Sequence, residues 1–196
     1  MMRITKKIKK VDFIFICLTI ILILIAGFRP IGLDADSSNY AAFVKSSGSS
    51  MSILTKEPGF WFFTKINQYA FGGNLTSFFL LFAIVGVSVK AYAIRKLSPF
   101  PLYALYAYVC LYFIIHEMTQ IRVAVAAGIF LIAIPDIFNK NLKGYVFKVF
   151  IACMFHYSAI VMLFVYPLQN KRVNRLFYFS LPLVGIFLAF NSSLLL

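Results

Sequence analysis

The chain has 196 residues, is 62% hydrophobic and only 13% charged, and its mean hydropathy is +0.89. A soluble domain carries about twice that share of charge, so a water-soluble fold is excluded, whereas a bilayer solvates such apolar surface directly. The net charge of +13 would suggest nucleic acid in a soluble protein. Here the basic residues bunch beside apolar runs, which is the positive-inside pattern of a membrane protein, and no nucleic-acid partner is expected.

The expected fold is all-α: a polytopic transmembrane helix bundle with one interfacial amphipathic helix, in a single membrane domain over residues 1–196. A spanning helix needs about 20 residues, and about six apolar segments qualify, at 11–28, 75–94, 100–115, 120–138, 145–169 and 176–196. The first follows Arg3, Lys6, Lys7, Lys9 and Lys10. It is too long for a signal core, and Gly27-Phe28-Arg29-Pro30 is not a small-x-small cleavage site. It reads as an uncleaved helix with its N-terminus in the cytoplasm.

Residues 29–73 form the expected outside loop. The stretch from Gly32 to Tyr40 is polar and turn-rich, and 45–52 is Ser/Gly-rich, which suits a flexible tip. After Glu57-Pro58-Gly59, residues 60–71 read as an amphipathic helix. Phe60, Trp61, Phe63, Ile66 and Tyr69 can face the membrane, with Thr64, Lys65, Asn67 and Gln68 opposite. Arg95-Lys96 closes the second span, Pro99 and Pro101 open the third, and Asn139-Lys140-Asn141-Leu142-Lys143 closes the fourth. All these basic clusters fall on the cytoplasmic side.

The segment 145–169 strains that pattern. A single crossing with an irregular middle is the favoured reading, but it places Lys171, Arg172 and Arg175 outside. The alternative is a segment that enters and returns as two short helices broken near Phe155-His156, which is allowed where the backbone is buried in protein. The cysteines Cys17, Cys110 and Cys153 each sit in an apolar run without CxxC spacing, and read as free packed thiols.

Ionisable groups beside apolar helices are costly and are therefore functional candidates. They are Arg29, Asp34, Asp36, Glu57, His116, Glu117, Arg122 and His156. Each has a plainer reading. Arg122 could pair with Glu117 or reach the interface, and Asp34-Ala35-Asp36 could be only a turn. Glu57 could cap the amphipathic helix, His156 could be a packing histidine, and His116 an interfacial residue. There is no zinc spacing, phosphate-binding glycine loop or nucleophile elbow, and no metal or cofactor is implied.

Five phrases occur in a distinctive order: Gly27-Phe28-Arg29; Asp36-Ser37-Ser38-Asn39-Tyr40 with Phe43; Glu57-Pro58-Gly59-Phe60; Gln120-Ile121-Arg122 with Ala124 and Ala126; and Phe155-His156-Tyr157-Ser158-Ala159. In these the chain resembles the EpsG/Wzy-type polymerases of bacterial surface polysaccharides, O-antigen and exopolysaccharide among them. Such proteins are usually longer, so the chain resembles their N-terminal part. It departs from them in Pro30-Ile31-Gly32-Leu33-Asp34, which leaves open whether Asp34 or Asp36 corresponds to their acidic residue.

The resemblance implies a glycosyltransferase of the bacterial inner membrane. It would transfer a glycan from an undecaprenyl-pyrophosphate donor to a lipid-linked acceptor repeat at the outer face. Its partners would be those lipid-linked oligosaccharides, membrane lipids and other polysaccharide assembly proteins. Arg29 and Arg122 would bind the pyrophosphate, and Asp36 or Glu57, or alternatively His156, would be the catalytic base. Two other classes share the helices and buried charges: a non-catalytic subunit of a polysaccharide assembly or export complex, and a transporter or flippase. The transporter reading calls for internal repeats or matched broken helices, and none is found.

Overall fold

The computed structural model describes residues 2–34, 36–45, 57–169, 180 and 182–183, with side chains described from residue 11 through 168 and at 180, 182 and 183. The expected segment 176–196, the tip 46–52 and the cluster Lys171, Arg172 and Arg175 lie essentially outside these residues. Among the described residues the chain is helical, with no strand.

Helix α1 (Met2–Gly27) carries the apolar stretch Val11–Gly27. A short helix α2 (Ser37–Lys45) follows, then α3 (Pro58–Phe71) and α4 (Leu75–Leu97). Pro58 opens α3, where a missing N–H costs nothing. Gly72 at φ 60° ends it in the left-handed cap geometry that glycine adopts without strain. Asn74 starts α4, its side chain accepting from the amides of Thr76 and Ser77.

Helix α5 (Pro101–Tyr108) continues as a π-helix over Val109–Thr119. The combined run is therefore 19 residues, longer than the 100–115 expected. Helix α6 (Ile121–Phe138) descends beside it. Leu75–Leu97, Pro101–Thr119 and Ile121–Phe138 are each long and apolar enough to cross a bilayer.

The segment after α6 overturns the single-crossing reading. Helix α7 (Leu142–Phe155) stops at His156, which is extended at φ −156° and ψ 115°, and a 3-10 helix takes over at Tyr157–Gln169. This second leg folds back along α7. The Tyr145 hydroxyl donates to the Met162 carbonyl, and the Tyr145 and Tyr166 rings are 5.2 Å apart. Ala152 and Ala159 share one small core with Ala126 of α6. A hairpin broken at His156 is the geometry present.

Two further expectations change. The polar stretch after Arg29 contains α2, because Asp34 Oδ1 accepts from the amides of Asp36 and Ser37 and starts the helix. Nine residues are too few for a period to stand out, yet Tyr40, Ala41 and Val44 bury one face. In α3, Thr64 and Asn67 are buried, whereas Tyr69 is exposed. The supposed polar face therefore meets α4, where Asn67 Oδ1 accepts from the Ser77 hydroxyl at 2.6 Å.

An aromatic core ties α2, α3, α4 and α6 at one end of the bundle. It contains Tyr40, Phe60, Phe78, Phe79 and Phe82, with Ile121 and Val125. Ring separations there run from 5.1 to 6.4 Å, the tilted and edge-on range that favours aromatic pairs. A second core joins α1 to α4 and α5 through Phe15, Leu22, Ala26, Ala83, Val87, Leu105 and Tyr108.

Candidate functional site

Three chain segments bring ionisable groups together above the aromatic core. Glu57 immediately precedes α3 but does not cap it, since its side chain makes no bond to that helix. The carboxylate instead reaches across the bundle. Its Oε2 accepts from Arg122 Nη1 at 2.7 Å, and its Oε1 lies 2.7 Å from His156 Nδ1 and also receives the Tyr157 amide at 3.3 Å.

Each segment has a local reason to arrive there. Arg122 is the second residue of α6, so it projects from a helix N-terminus, where free N–H groups add positive potential. His156 is placed by the break between α7 and the 3-10 helix. Gly59 lets the start of α3 approach that break: a Cβ there would lie 3.0 Å from the Met154 carbonyl oxygen and from the Phe155 ring. A side chain at that position would crowd the break.

The Glu57 side chain is 7% exposed, Arg122 39% and His156 29%. A buried anion thus holds two groups that open toward the outside of the cluster. Burial works to raise the Glu57 pKa. The hydrogen bond to His156 and the charge of Arg122 outweigh it, and hold the carboxyl below its ordinary value. Glu57 is therefore ionised and a weak base. An ionised carboxylate only accepts, so Nδ1 of a neutral His156 carries the proton and Nε2 keeps its lone pair.

The other expected residues lie elsewhere. Arg29 is 1% exposed. Its Nη1 donates to the Glu117 carbonyl at 2.9 Å, its Nε faces Asp34 Oδ2 at 3.1 Å as an ion pair without hydrogen-bond alignment, and its guanidinium lies 3.9 Å from the Phe79 centroid. It ties the end of α1 and the π-helix to the start of α2. Asp34 is its partner, which leaves Asp36, half-buried one turn before Tyr40, as the more available of the two aspartates. His116 packs beside Tyr112, with ring centroids 5.4 Å apart.

Glu117 is not at the mouth and does not pair with Arg122. It is buried inside the bundle, where its Oε1 binds Lys90 and accepts from the Tyr108 hydroxyl at 2.8 Å. Lys90 also donates to the Ala124 carbonyl at 2.7 Å. Gly86 and Gly128 make the space: a Cβ on Gly86 would sit 2.5 Å from Glu117 Oε2, and one on Gly128 3.3 Å from the Lys90 side chain. Sequence reasoning missed Lys90 and Tyr108. Lys90, a lysine well inside the apolar run Leu75–Leu97, was the available signal.

The family model for the EpsG family matches residues 12–196. The chain therefore belongs to the EpsG family, and with its apolar helices it is a membrane protein related to polysaccharide biosynthesis. Among curated proteins none matches, and no solved structure matches.

Proposed function

We propose that this EpsG-family protein is a surface polysaccharide polymerase whose centre is the Glu57–Arg122–His156 cluster. The observation that carries the reading is the shared carboxylate: one buried Glu57 binds both a guanidinium and an imidazole, each partly exposed. An anion-binding fork beside a base is what glycosyl transfer from a pyrophosphate carrier requires.

In this reading the acceptor sugar hydroxyl approaches His156 Nε2, which takes its proton as the hydroxyl oxygen attacks the anomeric carbon of the donor. The bond from that carbon to the pyrophosphate oxygen breaks through an oxocarbenium-like state. The leaving pyrophosphate gathers negative charge, and Arg122 offers it a planar set of donors next to the α6 N-terminus. Glu57 keeps the imidazole tautomer and stabilises the imidazolium that forms, much as the carboxylate of a catalytic triad does. Asp36, half-buried at the start of α2, is the alternative base. The donor is an undecaprenyl-pyrophosphate glycan and the acceptor a lipid-linked repeat, both with prenyl chains that the lipid-facing helices can accompany.

The cluster is assigned to the outer face of the inner membrane. Arg95, Lys96, Lys140 and Lys143 lie at the ends of α4 and α6 and the start of α7, away from the cluster. Arg95 Nη2 pairs with Asp12 of α1 at 2.5 Å at that end. By the positive-inside rule that end, and the N-terminus with it, is cytoplasmic.

The test is polymer formation by purified protein supplied with a lipid-pyrophosphate donor. Arg122→Ala should lose nearly all turnover and Arg122→Lys most of it, since lysine keeps the charge but not the fork. His156→Ala should lose about 10²–10⁴-fold. Near-normal polymer from both alanine variants would leave a non-catalytic role in the assembly complex.

A further inference from the structure

The π-helix ends at Thr119 and α6 begins at Ile121, with Gln120 between them at φ −98° and ψ 63°. The Gln120 amide donates back to the Ile115 carbonyl at 2.9 Å, and the Gln120 carbonyl accepts from the Ala124 amide at 2.9 Å. Arg122 follows directly as the second residue of α6. The direction in which α6 leaves the break therefore sets where the guanidinium can reach.

Lys90, on α4, grips both sides of that break. Its ammonium pairs with the Glu117 carboxylate in the last turn of the π-helix. It also donates at 2.7 Å to the carbonyl of Ala124, in the opening stretch of α6. An ammonium has three donors and no acceptor, so one group can hold a carboxylate and a carbonyl from two helices at once. Glu117 is held in turn by the Tyr108 hydroxyl, which donates to Oε1 at 2.8 Å, and by Arg29, which donates to its main-chain carbonyl at 2.9 Å. The Lys90 and Glu117 side chains are only 3% and 2% exposed, in the room that Gly86 and Gly128 leave. A buried ion pair is a weak source of stability, and its best-attested use is to fix register.

We propose that Lys90 is a positioning residue for Arg122. By holding Glu117 and the Ala124 carbonyl across the Gln120 break, it sets the angle at which α6 presents the Arg122 guanidinium to Glu57 and to a pyrophosphate. This role rests on the polymerase reading. Lys90 acts through the backbone of α6 and does not touch the anion.

Calorimetric titration of the full chain in lipid nanodiscs with inorganic pyrophosphate tests it. Lys90→Met combined with Glu117→Gln leaves no buried charge, and glutamine still accepts from Tyr108. That variant should keep most of the wild-type unfolding midpoint. It should nevertheless bind pyrophosphate about tenfold more weakly, the size of one hydrogen bond to a charged group. In an Arg122→Lys background the same two changes should cost less than about twofold, because lysine has no planar fork to aim. Gly128→Ala keeps both charges but sets a methyl 3.3 Å from Lys90 Cγ, and should weaken binding in the same direction. Wild-type affinity in the double variant or in Gly128→Ala overturns the positioning role and leaves the Arg122 reading intact, as does an equal loss in the lysine background. Wild-type affinity in Arg122→Ala, or no binding by the wild type, removes the anion site itself and the role of Lys90 with it.

Discussion

His156 Nδ1 lies 2.7 Å from Glu57 Oε1, across a sequence separation of 99 positions. The contact closes the re-entrant hairpin onto the start of α3. Cluster geometry and hairpin geometry are therefore one arrangement, and disturbing either should disturb both.

Gly59→Ala tests this link directly. The added methyl would crowd the Met154 carbonyl and the Phe155 ring, moving Glu57 away from His156. Polymer formation should fall by at least about tenfold, since misplacement by an ångström is costly to catalysis, while membrane insertion and yield stay normal. Full activity in this variant would show that the approach of α3 to α7 is not needed.

The depressed Glu57 pKa makes a prediction about acid. A carboxyl whose folded pKa lies below its unfolded value adds stability that is present above the unfolded value, about 4.5. That stability is lost as pH falls through the lower folded value. Unfolding temperature should therefore drop in acid below about pH 4.5, and Glu57→Gln should show a shallower drop, having no carboxylate to protonate. Parallel curves for the two proteins would contradict the coupling of Glu57 to Arg122 and His156.

The Lys90–Glu117 pair is buried where neither charge can reach water. Removing one partner leaves the other uncompensated, at a typical cost of about 3–5 kcal/mol. Glu117→Ala and Lys90→Ala should each unfold at much lower denaturant in detergent micelles. Lys90→Met combined with Glu117→Gln should recover much of the loss, because no buried charge remains. A double variant as unstable as the sum of the singles would show that the two do not act as a pair.

The hairpin brings Tyr166 back beside Tyr145, near the start of α7. Ser38→Cys near the cluster should react with a membrane-impermeant thiol reagent in intact cells, in a background lacking Cys17, Cys110 and Cys153. Leu168→Cys, two residues past the Tyr145–Tyr166 contact, should react only after the membrane is broken. Labelling of Leu168→Cys in intact cells would restore a single crossing.

The helices of the apolar runs were legible in the sequence because their cause is local. A bilayer leaves no partner for a free backbone group, so a long apolar run has to satisfy its own N–H and C=O groups as a helix. The openings at Pro58 and Pro101 were legible for the same reason, since proline acts within one helical turn. The candidate residues Arg122 and His156 stood out as charged or polar groups in apolar runs, and Glu57 as an acid of the outside loop.

Their pairing was not legible, because which charge meets which depends on how the helices pack. Glu57 reads as a helix cap in sequence, yet its partners come from α6 and from the break after α7. Glu117 stands only five positions from Arg122 but turns inward to Lys90, where Gly86 and Gly128 leave room for the pair. The return of residues 157–169 was equally hidden. A hydropathy run is the same length whether it crosses once or doubles back, and only the contacts of Tyr145 with Met162 and Tyr166 decide between the two. Apolar composition and backbone satisfaction specify that this chain is a membrane helix bundle; side-chain packing between distant segments decides which of its few charges can work together.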